Sequence, residues 1–174
     1  MAKKDKVGRS QSPEQLELSP ERIIITDAST SGWGAIVLDR ARHEMTITFG
    51  ARWPPNSPFT DSGRIAEAEA QALVNAWQEL NHKKAKKILF VCDNPVLQYA
   101  LLMYNSGNTG VEKILEPVLH GLKSQRICWM VQLVPSKENP ADEPSRQKGV
   151  CQQKIDALLK NISNRPTMVR VKVT

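Results

Sequence analysis

The run Ile23-Ile24-Ile25-Thr26-Asp27-Ala28-Ser29, closed by Thr30-Ser31-Gly32 ahead of Trp33-Gly34-Ala35, decides how this chain is read. Successive β-branched apolar residues between turn formers predict a buried strand, because branched side chains pack well on a pleated surface. A carboxylate at the carboxyl end of that strand adds nothing to a core. Asp27 needs a cation, a hydrogen-bond donor or water, and the carboxyl ends of strands are where α/β proteins gather their ligands. Asp27 is therefore the first candidate functional residue, with a local turn bond to Ser29 as the plainer alternative.

Working outward, the runs 22–27, 33–39 and 45–53 predict three strands joined by short connections, an antiparallel meander. In the third, Met45, Ile47 and Phe49 alternate with Thr46, Thr48 and Gly50, as in a half-exposed strand. Pro54-Pro55-Asn56-Ser57-Pro58 ends it, since proline cannot donate to a ladder. A helix over 64–80 follows Asp61-Ser62-Gly63. Its apolar stripe, Ile65, Ala72, Ala76 and Leu80, also contains Glu69, a carboxylate facing inward; Glu67 points elsewhere. Beyond the basic run His82-Lys83-Lys84-Ala85-Lys86-Lys87, the apolar Ile88-Leu89-Phe90-Val91-Cys92 predicts a strand covered on both faces, and it too ends in a carboxylate, Asp93. Strand, helix, strand implies a parallel pair with Asp27 and Asp93 at one edge of the sheet.

Further helices are predicted from Asn94-Pro95 to Tyr104 and over 111–125, the latter kinked or divided at Pro117. A strand over 127–134 contains Trp129. The polar loop Pro135 to Arg146 supplies a fourth carboxylate, Asp142, and a last amphipathic helix carries Val150, Ile155, Leu158, Leu159 and Ile162. Trp77 and Trp129 read as core. Trp33 and Trp53 read as packing residues within reach of a ligand.

A chain of 174 residues suits one domain. Its net charge of +6 and pI near 9.3 favour a polyanion, with nucleic acid foremost. The 3 cysteines, Cys92, Cys128 and Cys151, form neither a disulfide framework nor a zinc cluster, which suits a reducing, intracellular setting. No apolar run reaches membrane-spanning length, and the first residues lack the apolar stretch expected of a secretory signal. Residues 1–20 read as a flexible basic arm, 21–163 as the domain and 164–174 as a basic tail.

The order of elements and the set Asp27, Glu69, Asp93 and Asp142 resemble the ribonuclease H fold, and most closely the ribonuclease H domains of retroelement reverse transcriptases. Thr26-Asp27-Ala28-Ser29 with Gly32-Trp33-Gly34-Ala35 is similar to the first catalytic aspartate and its hairpin. Glu69-Ala70-Gln71-Ala72 is similar to the helix glutamate, and Val91-Cys92-Asp93-Asn94 to the third carboxylate. Asn139-Pro140-Ala141-Asp142-Glu143-Pro144-Ser145-Arg146 is similar to the fourth, and with Gly-Trp-Gly-Ala it is nearest in character to tyrosine-recombinase retrotransposons.

The resemblance implies a mixed five-stranded sheet, three antiparallel strands then two parallel, flanked by helices. It implies hydrolysis of the RNA strand of an RNA–DNA hybrid, giving 5′-phosphate products, with two Mg²⁺ or Mn²⁺ ions roughly 4 Å apart. In that arrangement Asp27 bridges both ions, Glu69 and Asp93 hold one, and Asp142 holds the other. Crowded carboxylates need such cations to offset their repulsion, and hard oxygen donors select these metals. Ser29, Asn94, Lys83, Lys84, Lys86, Lys87, Lys137 and Arg146 are the expected nucleic-acid contacts. A polymerase domain or a larger ribonucleoprotein is the expected partner, with the isolated domain a monomer.

This chain also departs from the family pattern. No histidine stands in Val134 to Ala141, where many members place one. The segment Asn105 to Gly110 lacks the basic protrusion of cellular members, and Pro144 replaces a common leucine. A catalytically silent scaffold or nucleic-acid-binding module, and a DNA endonuclease of the integrase or resolvase kind, are the alternatives the same pattern allows.

Overall fold

A computed structural model describes residues 20–40, 45–80, 85–103, 107–164 and 168–170. The strands are β1 (Arg22–Ala28), β2 (Gly32–Asp39), β3 (Met45–Arg52), β4 (Lys87–Cys92), β5 (Cys128–Leu133) and β6 (Met168–Arg170). The helices are α1 (Ile65–Glu79), α2 (Pro95–Met103), α3 (Thr109–Ser124), α4 (Asp142–Ser145) and α5 (Gln152–Asn164), with short 3₁₀ turns at Pro58–Thr60, Ser62–Arg64 and Ser136–Glu138. Lys83 and Lys84 and the expected arm before Pro20 lie outside the described residues.

The sheet runs β3-β2-β1-β4-β5-β6. β1 pairs antiparallel with β2, Ile25 opposite Ile36, and parallel with β4, Ile25 opposite Val91. β4 then pairs parallel with β5, so the three antiparallel strands followed by two parallel ones are as expected. The sheet also continues past them. Met168–Arg170, within the segment read as a basic tail, pairs antiparallel with β5.

Alternation along β1 divides the core. Ile24 and Ala28 face α1, α2 and α3 together with Ala35, Val37, Ile88, Phe90 and Trp129. Ile23 and Ile25 face the other way, toward Ile155 and Leu158 of α5. Both faces of β1 and β4 are thus covered, which is why their sequences are apolar without a break. Ile47 and Phe49 of β3 are half-buried against this core while Thr46 and Thr48 are exposed.

Two local expectations are corrected. α3 runs unbroken through Pro117, which lies on the exposed face. Burial of Val111, Leu115, Val118 and Leu122 offsets the one hydrogen bond that proline removes. Ile65, the first residue of α1, is 38% exposed rather than buried. Among the described residues no helix is long and apolar enough to cross a membrane.

Candidate active site

Parallel pairing of β1 with β4 brings Asp27 and Asp93 to the same edge. α1 crosses the sheet above them on fully buried Ala68, Ala72 and Ala76, whose small side chains let the helix approach closely. Glu69, on that buried side, reaches the strand end. One carboxylate oxygen from each of Asp27, Glu69 and Asp93 lies within 4.8 Å of the others. Asp27 is 4% exposed and Glu69 2%. The amide of Ala28 donates to Asp27 Oδ1 at 2.8 Å and to Glu69 Oε1 at 3.2 Å. Glu69 Oε2 is buried with no hydrogen-bond partner.

Burial pushes Asp27 up to about 7, and the negative charges of Asp93 and Asp142 push the same way against its hydrogen bonds to Glu69 and Ala28. Burial and then the charge of Asp27 hold Glu69 well above the usual carboxylate range. Asp93 is raised by burial too, although hydrogen bonds from Asn139 and Ser136 oppose the shift. Three carboxylates are therefore held together at a cost that a cation would relieve. The orphaned Glu69 Oε2 and an all-oxygen donor set fit a hard divalent ion such as Mg²⁺ or Mn²⁺. Cys92, beside this group, is no nucleophile: burial pushes its thiol up to about 12.

Asp142 stands outside the tight group. It opens α4 with its carboxylate partly exposed, and its Oδ1 accepts from Arg146 Nε at 3.1 Å. What brings α4 near is the absence of a side chain at Gly34. That residue pairs with Asp27 across β1 and β2, and a Cβ there would run into Ser145 N and come within 2.7 Å of Pro144. Ser29 Oγ donates to Ser145 O at 2.9 Å and ties α4 to the end of β1. Lys154 of α5 holds Glu143 at 2.6 Å from the other side.

Asn139 is the site residue that sequence reasoning passed over. It is fully buried; its Nδ2 donates to Thr26 O at 3.0 Å and to Asp93 Oδ2 at 3.3 Å, and its Oδ1 accepts from Ala141 N at 2.9 Å. One amide thus joins β1, the third carboxylate and the loop that delivers Asp142. Its only signal was a place before Pro140, where the backbone is restricted, and a turn former reads the same way.

The expected nucleic-acid contacts divide. Lys137, in the 3₁₀ turn beside Asp93, and Arg146 are exposed next to the carboxylates. Ser29 is 4% exposed, and its hydroxyl donates to Ser145 O. Asn94 caps α2, accepting from Val96 N at 2.9 Å and Leu97 N at 3.4 Å. Lys86 and Lys87 sit at the start of β4, a strand length of roughly 20 Å from Asp93, at the pole of the sheet away from the site.

No protein-family profile matches the chain, and no curated protein sequence does. Solved structures do. Ribonuclease H1 of the halophilic archaeon Halobacterium salinarum superposes with a TM-score of 0.52 at 12% identity, over 78% of this chain and 96% of that one. LC11-RNase H1, solved in complex with an RNA/DNA hybrid, gives 0.50 at 16% identity, over 79% and 99%. A mixed sheet of three antiparallel and two parallel strands flanked by helices, shared with two ribonucleases H1 along nearly their whole lengths, makes the fold of this chain that of ribonuclease H.

Proposed function

We propose that this chain is a metal-dependent endoribonuclease that hydrolyses the RNA strand of RNA–DNA hybrids. The observation that carries the reading is the buried Asp27, Glu69 and Asp93 group with an unpartnered carboxylate oxygen, placed at the strand edge of a ribonuclease H fold. The neighbour solved on an RNA/DNA hybrid supports the choice of substrate. Asp27, Glu69 and Asp93 would hold a divalent ion, and Asp142 would help to hold a second. Bound ions of this kind supply a water activated at neutral pH and charge stabilisation for the displaced oxygen. The chain's own part is to fix the carboxylates: Ala28 N orients Asp27 and Glu69, and Asn139 orients Asp93. Lys137 and Arg146 meet the phosphates beside the cut.

The retroelement pattern of the Gly32-Trp33-Gly34-Ala35 hairpin and the Asn139 to Asp142 loop places the domain, in our reading, within or derived from a reverse transcriptase acting inside the cell. The Arg146 hold on Asp142 favours a second reading, a module that binds hybrid without cutting it. Incubation of a 5′-labelled RNA–DNA hybrid with the chain and Mg²⁺ or Mn²⁺ separates the two. The expected result is RNA fragments ending in 3′-hydroxyl and 5′-phosphate, abolished by Asp93→Asn. Hybrid bound but left whole in both metals establishes the module, and cleavage of duplex DNA instead moves the protein to the integrase or resolvase kind.

A further inference from the structure

Beside the carboxylates, across α1 from Glu69, is a cavity of about 600 Å³ bordered by Trp33, Arg52, Trp53, Phe59, Gln71 and Asn75. Trp33 is the second residue of β2, in the core cluster shared with α1, and Trp53 follows β3. Trp53 is fixed twice: its Nε1 donates to Ser29 O at 2.8 Å, and its ring lies 4.9 Å from that of Phe59, tilted by 52°. One turn apart on α1, Gln71 Nε2 donates to Asn75 Oδ1 at 2.9 Å. That bond leaves Gln71 Oε1 as an acceptor and Asn75 Nδ2 as a donor without partners among the described residues. Exchanging the oxygen and nitrogen of both amides gives the same outcome, one acceptor beside one donor.

Aromatic walls, a paired donor and acceptor, and an exposed arginine at the rim are the features that seat a nucleobase taken out of its stack. Each base offers an adjacent donor and acceptor on one edge, and amide side chains match them, most familiarly those of adenine. An aliphatic ligand would leave both amide groups unpaired, which is costly in a partly enclosed site. We infer that this cavity binds one unpaired base of a nucleic-acid strand that crosses the carboxylates. Gln71 is two residues from Glu69, and a helix is about 10 Å across, so the base belongs to a nucleotide near the one being cut. The inference deepens the nuclease reading, and rests on it for where the strand lies, but its binding test does not require cleavage.

The test uses the full chain carrying Asp93→Asn, so that substrate survives. A short RNA–DNA hybrid with one unpaired adenosine is compared with the same hybrid bearing an abasic residue there, and the unpaired position is stepped along the duplex. At one or two positions the adenine form should bind at least roughly fivefold tighter and quench tryptophan fluorescence. Adding Gln71→Leu or Asn75→Asp should remove that preference while the thermal midpoint and the affinity for abasic hybrid stay the same. Equal affinity for both hybrids at every position overturns the inference, as does a preference that survives both amide variants. Base preference without any cleavage by the unsubstituted chain refutes the nuclease reading and leaves the pocket; cleavage without base preference does the reverse.

Discussion

Asp27 states the central conflict in one side chain. In the folded chain it keeps its proton to about pH 7, against 3.8 when unfolded, so its contribution to stability is full below pH 3.8 and is lost as pH rises toward 7. Above that, without metal, folding has to hold a buried charge. In EDTA at pH 8, Asp27→Asn is expected to stabilise the protein by on the order of 2–4 kcal/mol, a gain that disappears near pH 4. Denaturant midpoints at the two pH values check it. Asp27 and Glu69 stood out in the sequence because a carboxylate on an apolar strand end or stripe needs a partner, a cation or water to sit there. Asn139 did not, because its two long-range bonds, to Thr26 and Asp93, join residues more than forty apart in the chain and leave no local periodicity.

Elements place the residues. The parallel β1 and β4 pairing followed from strand, helix, strand, and it alone predicted that Asp27 and Asp93 would meet. The place of α4 did not follow, since it depends on a missing Cβ at Gly34 and a helix only four residues long. Gly34→Ala forces Ser145 and Pro144 outward and carries Asp142 with them. The expected cost is about 1–3 kcal/mol of stability, with a fall in hybrid cleavage larger than any change in hybrid affinity. Gly149→Ala, where a Cβ would touch nothing within 4 Å, should leave both unchanged. Ile65 was misplaced because helical spacing gives a direction around the axis but does not say how far along it the helix stays covered.

Across the whole molecule, charge and site are separate facts. The net charge of +6 favours a polyanion but does not locate its footprint, and Lys86 and Lys87 stand at the far end of β4 from Asp93. Footprint is set by which loops share the carboxyl edge of the sheet. Lys137→Ala and Arg146→Ala should each weaken binding of a short hybrid and lower the slope of log affinity against log salt by about 1. Lys86→Ala should leave that slope as it is. A series of binding isotherms between low and moderate salt distinguishes the two groups. β6 was illegible for want of length: three residues of strand in a basic segment look like a tail until they pair with β5.

The account stands or falls on the buried carboxylates being a cation site, and calorimetry of Mn²⁺ binding in buffers of different ionisation enthalpy measures that directly. At pH 6, below the value of about 7 to which burial raises Asp27, binding should release up to about one proton per ion, fewer as pH rises above 7, and Glu69→Gln should weaken it strongly. No saturable binding, or binding that releases no proton at pH 6 and is indifferent to Glu69→Gln, would contradict it.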